Sequence, residues 1–156
     1  MSQSTRIQLT KTPNTLNQYR RAVLSKATKT KKPVLPTTRI TLSDISVDAK
    51  KVAQYSEVCG FKKNTQKLPM TFPHLLAFPL HLELMLLRDF PFAIMGMVHV
   101  RNEITQYRAI NILEKMDITC FLSDIRKTDK GYDIDVKTEI YITGQQVWES
   151  ISTNLT

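Results

Sequence analysis

Apolar residues along this chain recur with two periods, and the change from one to the other divides it. Early on they come every three or four residues. Leu16, Tyr19, Val23 and Leu24, behind Asn14 or Thr15 as a cap, predict a short amphipathic helix near residues 15–27 with those four on its apolar face. "KKPVLP", Lys31 to Pro36, ends it. The segment "RITLSDISV" alternates Ile40, Leu42 and Ile45 with polar residues and predicts a strand. A second helix follows Asp48 as cap, with Val52, Tyr55 and Val58 on one face and Gly60 as its stop.

The most apolar stretch is "FPLHLELMLL", Phe78 to Leu87. Pro73 and Pro79 argue against one helix through the whole of "TFPHLLAFPLHLELMLL", whereas Pro79 suits a first helical position, where its missing N–H costs nothing. The helix is therefore expected to begin at Pro79 and run to Arg88. Leu80, Leu82, Leu84, Met85, Leu86 and Leu87 then point in nearly every direction, and Leu82, Met85 and Leu86 are expected among its most buried residues. Such a helix has to be enclosed.

The period then shifts to two. "GMVHVRNEITQY", "MDITCFLSDI", "GYDIDVKTEIYI" and "QVWESISTNL" read as strands, the middle pair joined by "RKTDKG" as a hairpin and the last entered through a turn at Gly144. Four or five antiparallel strands with one enclosed helix describe an α+β domain whose curved sheet wraps that helix. His99, Arg101 and Glu103 fall on one side of the first of these strands and are expected to form a polar row.

At 156 residues and 42% hydrophobic content the chain fits one globular domain. Charge adds a boundary. Residues 1–38 hold Arg6, Lys11, Arg20, Arg21, Lys26, Lys29, Lys31 and Lys32 and no acid, so these eight account for the whole net charge of +8. The expected organisation is a basic N-terminal extension over 1–38, read as a solvated arm around its short helix, and a single domain over 39–156. A basic arm alone does not select among the phosphates of nucleic acid, anionic lipid or a nucleotide-containing ligand, and no nucleic-acid role is expected from it. Cys59 and Cys120 stand far apart with no metal-ligand spacing, so neither disulfide nor zinc site is signalled. No apolar run reaches the roughly 18 residues of a membrane span and no signal-peptide core is present, so the expectation is a soluble cytoplasmic protein. The acid-free, Ser/Thr-rich N-terminus makes mitochondrial import the lesser alternative. P-loop, dinucleotide-binding and serine-hydrolase motifs are missing from the sequence.

"YSEVCGF" at 55–61, "LPMTFPHLLAFPLH" at 68–81 and "MGMVHVRNEI" at 95–104 together resemble the MaoC-like acyl dehydratases, which include the (R)-specific enoyl-CoA hydratases and have the hot-dog fold. The resemblance covers roughly Arg39 to Thr156. It implies an acyl-thioester ligand such as acyl-CoA, hydro-lyase chemistry in fatty acid metabolism, no further cofactor and no metal. It also implies pairing, as a homodimer or with a second hot-dog unit. Phe72, His74, Phe78 and His81 are the residues it places near an acyl cavity.

The chain departs from the family where chemistry is done. The hydratase motif continues Tyr-x-x-Val-Ser-Gly with Asp-x-Asn-Pro before the catalytic His; here Gly60 is followed by "FKKNTQKLP", with Phe61 in place of the Asp and Asn64 as the nearest polar substitute. The resemblance therefore implies a degenerate unit, similar to the N-terminal half of a two-unit member, and a strand pattern that continues to the chain's last residues fits that. His81 is the remaining candidate base, expected to be neutral because it sits in the first turn of its helix, or else a core histidine with one hydrogen bond. Glu83 supports an alternative, a hot-dog thioesterase with a helix carboxylate as nucleophile or base; its structural reading is a pair with Arg88 or Arg101. A binding or assembly module without turnover is the third reading.

Overall fold

The segment expected to be enclosed is the axis of the computed structural model, which describes residues 5–27, 32–62 and 66–156. It is one 14-residue helix, α3 (Phe72–Met85), with Pro73 in its first turn and Pro79 in its interior. The helix thus starts seven residues before the expected position. An internal proline costs about 3 kcal/mol in an isolated helix, but here burial outweighs it: Ala77, Leu80 and Leu84 are fully enclosed, and Pro79 itself is buried. The carbonyl that loses its donor to Pro79 is that of Leu75, a residue half open to water. Leu82 and Met85 are buried as expected, while Leu86 is only half-buried because it caps the helix instead of continuing it.

A six-stranded sheet curves around α3. Its strands are β1 (Arg6–Leu9), β2 (Arg39–Ile45), β3 (Val98–Gln106), β4 (Met116–Thr128), β5 (Gly131–Ile142) and β6 (Gln145–Leu155), in the order β1-β2-β4-β5-β6-β3. All neighbours are antiparallel except β1 and β2. The sheet is therefore mixed, because residues 6–9 of the basic segment add a parallel strand that alternation in four residues does not reveal. Inward positions of β2, β4 and β5 supply Ile40, Leu42, Met116, Ile118, Ile134, Val136 and Ile140, all nearly inaccessible. On β6, Trp148 is buried and its indole Nε1 donates to the Met70 carbonyl at 2.9 Å, fixing the residues that lead into α3.

Two further helices flank this core. In α1 (Thr15–Val23), Asn14 Oδ1 accepts from the Asn17 amide, and in α2 (Ala49–Val58), Asp48 Oδ1 accepts from that of Lys50, both as their residue types predict. Gly60, at φ +70°, turns the chain out of α2. Val52 of α2 is buried, but Val58 is 86% exposed, since α2 ends before that turn meets the core. The apolar face predicted for α1 also points outward: Gln18 and Ala22 are buried, Leu16, Tyr19, Val23 and Leu24 are not. Lys29, Lys31 and Asn64 lie outside the described residues.

On the outer surface Asp135 is buried beneath Arg126, which donates to both its carboxylate oxygens at 2.7 and 2.9 Å, and Thr153 adds a third hydrogen bond at 2.7 Å. Burial pushes this carboxyl up, yet the bonds from Arg126 and Thr153 outweigh it and hold it below the usual carboxylate range. A group depressed in the folded state stabilises above its unfolded pKa, near 3.9, and loses that contribution as pH falls further. Asp135→Ala is expected to cost about 2 kcal/mol in urea titration at neutral pH, and the gap between variant and parent should shrink in acid. A gap independent of pH would remove the charge from that account.

Candidate functional site

The site is built where α3 packs over β4 and β5. Strand register sets one inward-facing row across the sheet: Ile40, Cys120, Thr138, Ser150 and Ile104, one residue from each of five strands. Three of the five are polar or sulfur-bearing, and all three are buried. α3 sets His81 over the row, and its Nε2 shares a 2.7 Å hydrogen bond with Thr138 Oγ1, which also lies 3.4 Å from Cys120 Sγ. Ser150 Oγ has no hydrogen-bond partner among the described residues.

His74, seven residues before His81, lies on the same side of α3 at two helical turns' separation. Its ring meets that of His81 edge-on at 5.5 Å and stacks on that of His99 at 5.8 Å. The three histidines of the sequence thus form one group, running from the core to the edge strand β3. A bulge makes this possible. The register of β3 on β6 shifts between His99 and Arg101, so that His99 falls opposite Asn154, on the inward side with Ile134, while Arg101 falls opposite Thr153 on the outward side. The expected polar row of His99, Arg101 and Glu103 is broken for that reason: Arg101 and Glu103 pair with each other at 3.2 Å, and His99 joins the histidines.

Burial governs the chemistry of the group. His81 is lowered to about 3, chiefly by burial and then by the neighbouring His74 and His99. It is neutral, as expected, but for another reason: it is the tenth of fourteen helical residues, beyond reach of the N-terminal dipole. His74 is lowered by burial and then by His99, and its Nδ1 is buried without a partner among the described residues. Burial pushes the Cys120 thiol up to about 12, against the pull of Thr138, which makes it a poor nucleophile. Among the described residues no three His, Cys, Asp or Glu side chains converge as metal ligands.

The other candidate residues go elsewhere. Glu83 turns from the sheet toward α1, where Arg21 Nη1 donates to both its oxygens at 2.9 and 3.1 Å and Gln18 Nε2 donates at 2.8 Å. Its partner is Arg21, not Arg88 or Arg101. Phe72 is buried against the edge of Tyr55, with ring centroids 5.3 Å apart, and Phe78 sits on the outer side of α3 beside Leu75. Phe61 stacks on the other side of Tyr55 at 6.1 Å, and the Tyr55 hydroxyl bonds Thr71 at 2.7 Å. Phe61, which follows Gly60, is thus part of an aromatic stack with Tyr55 and Phe72.

Comparison with known proteins places this architecture. No family model matches the chain. Over 121 residues it is 32% identical to 3-hydroxyacyl-thioester dehydratase X of Mycobacterium tuberculosis, an alignment that covers 78% of this chain and 43% of that protein. The crystal structure of that dehydratase superposes with a TM-score of 0.71 at 30% identity, covering 76% of this chain and 50% of the other. The chain is thus similar in sequence and fold to this dehydratase, and it shares the hot-dog fold of the MaoC-like dehydratases. Two more distant structures share the fold: a MaoC-like dehydratase, with a TM-score of 0.59 at 16% identity over 72% of this chain and 39% of that one, and a 3R-hydroxyacyl-ACP dehydratase complex of M. tuberculosis, with 0.62 at 12% over 76% and 96%.

The chain spans less than half the length of the curated relative it matches. Its fold is the one the resemblance implies, an α+β hot dog with α3 as the enclosed helix. Among the described residues no helix is long and apolar enough to cross a membrane. Thr138, Ser150 and Cys120 were not singled out from the sequence, although one signal was present. Thr138 shares the inward parity of β5 with Ile134, Val136, Ile140 and Ile142, and a lone hydroxyl in an aliphatic row requires a partner from the opposing helix.

Proposed function

We propose that this chain is a MaoC-like unit that binds an acyl thioester, such as an enoyl-CoA or 3-hydroxyacyl-CoA, without turning it over, and that it works paired with a second, catalytic hot-dog unit. Adding water across a conjugated double bond needs a base for the water and an acid for the carbon. The observation that supports this reading is Phe61, which follows Gly60 where the resemblance puts the motif's Asp and is stacked on Tyr55. His81 does not replace it: the ring is enclosed, its Nε2 is engaged by Thr138, and none of the groups around it, Cys120, Thr138, Ser150, His74 and His99, is a carboxylate. Glu83 is held by Arg21 and Gln18, which does not favour the thioesterase alternative.

Pairing is supported by the edge that β3 leaves open. Val98 and Val100 are exposed there, and Leu75 and Phe78 are exposed on the neighbouring helix. An uncovered strand edge with apolar flanks is a liability that a partner removes. A second copy or a second hot-dog unit fits it, as the 3R-hydroxyacyl-ACP dehydratase is itself a complex.

The test follows loss of enoyl-thioester absorbance when the chain meets a short trans-2-enoyl-CoA, with binding measured by calorimetry. Heat of binding without hydration is the expected result. Hydration lost in His81→Ala would overturn it, thiol release lost in Glu83→Gln would replace it by hydrolysis, and neither binding nor turnover would leave an assembly module.

A further inference from the structure

Helix α1 is packed with its polar side inward. Gln18 and Ala22 are buried against α3, where Gln18 Nε2 donates to the Pro79 carbonyl at 2.7 Å and to Glu83 Oε1. Ser25, one turn on, accepts from the Ile94 amide at 3.0 Å and donates to the Ala22 carbonyl. The large apolar residues take the opposite course. Leu16, Tyr19 and Val23, spaced to form one stripe, are 72%, 51% and 65% exposed, and Leu24 extends the stripe at 78%. Four neighbouring apolar side chains left in water mark a contact surface.

Charge selects what they contact. Arg20 lies beside the stripe on the helix, and Lys26 and Arg88 line a groove of about 230 Å³ together with Leu24. Arg21 is neutralised by Glu83, whereas residues 1–38 supply no acid to answer the other cations. A nucleic acid offers nothing to an apolar stripe. A helix with Leu, Tyr and Val on one side and Arg and Lys at its borders matches the interface of a bilayer, where apolar side chains enter the acyl boundary and cations meet anionic headgroups.

We propose that the outward face of α1 docks this protein on anionic lipid membranes, with Leu16, Tyr19, Val23 and Leu24 entering the headgroup boundary and Arg20, Lys26 and Arg88 engaging the lipid charge. The docking is peripheral and independent of any acyl thioester bound elsewhere. Sedimentation with vesicles tests it. The full chain should sediment with vesicles of phosphatidylcholine mixed with phosphatidylserine at low salt, and should stay in solution with phosphatidylcholine alone. Replacing Leu16→Ser and Val23→Ser together should weaken binding about tenfold or more. Arg20→Gln and Lys26→Gln should each weaken it about fivefold and flatten its salt dependence. All four side chains are exposed, so the melting curve should not move, and this separates lost docking from lost folding. Failure to sediment with the mixed vesicles at low salt would overturn the proposal. Binding that the Leu16→Ser, Val23→Ser pair leaves unchanged would also overturn it, reducing the effect to bare charge attraction. Light scattering that shows self-association abolished by the same pair would assign the stripe to a second copy instead.

Discussion

Between about pH 6.5 and pH 5 the protein should lose about 1.6 kcal/mol of folding stability more than a His81→Gln variant does, with the slope approaching about 1.4 kcal/mol per pH unit at the acid end. Unfolding frees His81 from the core and restores an ordinary imidazole with a pKa near 6.5, whereas the folded state holds it at about 3. Across that interval the unfolded chain binds a proton that the folded one refuses, so stability falls as pH falls. Above the unfolded value both states are neutral and the effect vanishes. Gln retains a polar end for Thr138 but does not titrate, so the comparison isolates one proton. Urea titrations at a series of pH values read it directly, and equal slopes for the two proteins would mean that His81 charges in the folded state or that its enclosure opens. Above pH 5 few carboxylates titrate, which keeps the window clean. His74 is lowered for the same physical reason and adds to the slope of both proteins.

Leu84→Ala should cost about 2 to 5 kcal/mol. Leu84 is fully enclosed in the middle of the contact between α3 and the sheet, and removing its branched end leaves a void that a two-sided packing closes poorly. Leu86→Ala should cost clearly less, because that side chain is half-buried at the helix cap. The order matters more than either value. A helix beginning at Pro79 would place Leu86 in its interior, so a Leu86 penalty at least as large as that of Leu84, measured by urea unfolding, would argue against a continuous α3. The same pair tests whether Pro79 is carried within the helix by the burial around it.

Much of the fold was legible before any coordinate. Alternation located β2 and the four later strands, and Asn14, Asp48 and Gly60 marked helix ends through hydrogen bonds and backbone angles that depend on near neighbours alone. The site was legible only in part. His81 was conspicuous as a lone imidazole in an apolar run, but its partner Thr138 is 57 residues away, and His99 reaches His74 only because a bulge turns it inward. A strict period of two cannot represent a bulge, so it grouped His99 with Arg101.

The sequence by itself determined the α+β class, the enclosed helix and the strands around it, because those follow from which residues share a face. Three segments in combination also pointed to the MaoC-like dehydratases, whose fold the chain shares. Which face meets the core was decided only by tertiary structure. The stripe of Leu16, Tyr19 and Val23 is present as its spacing predicts, yet it points to solvent, because Gln18 finds the Pro79 carbonyl and Glu83, and Arg21 reaches Glu83, across 61 to 65 residues of chain. Pro79 inside α3, the parallel β1 and the Cys120–Thr138–Ser150 row likewise depend on contacts between distant segments. Periodicity reports the relative angles of side chains about one axis, and a hydrogen bond or a packed surface from elsewhere in the chain sets where that axis turns.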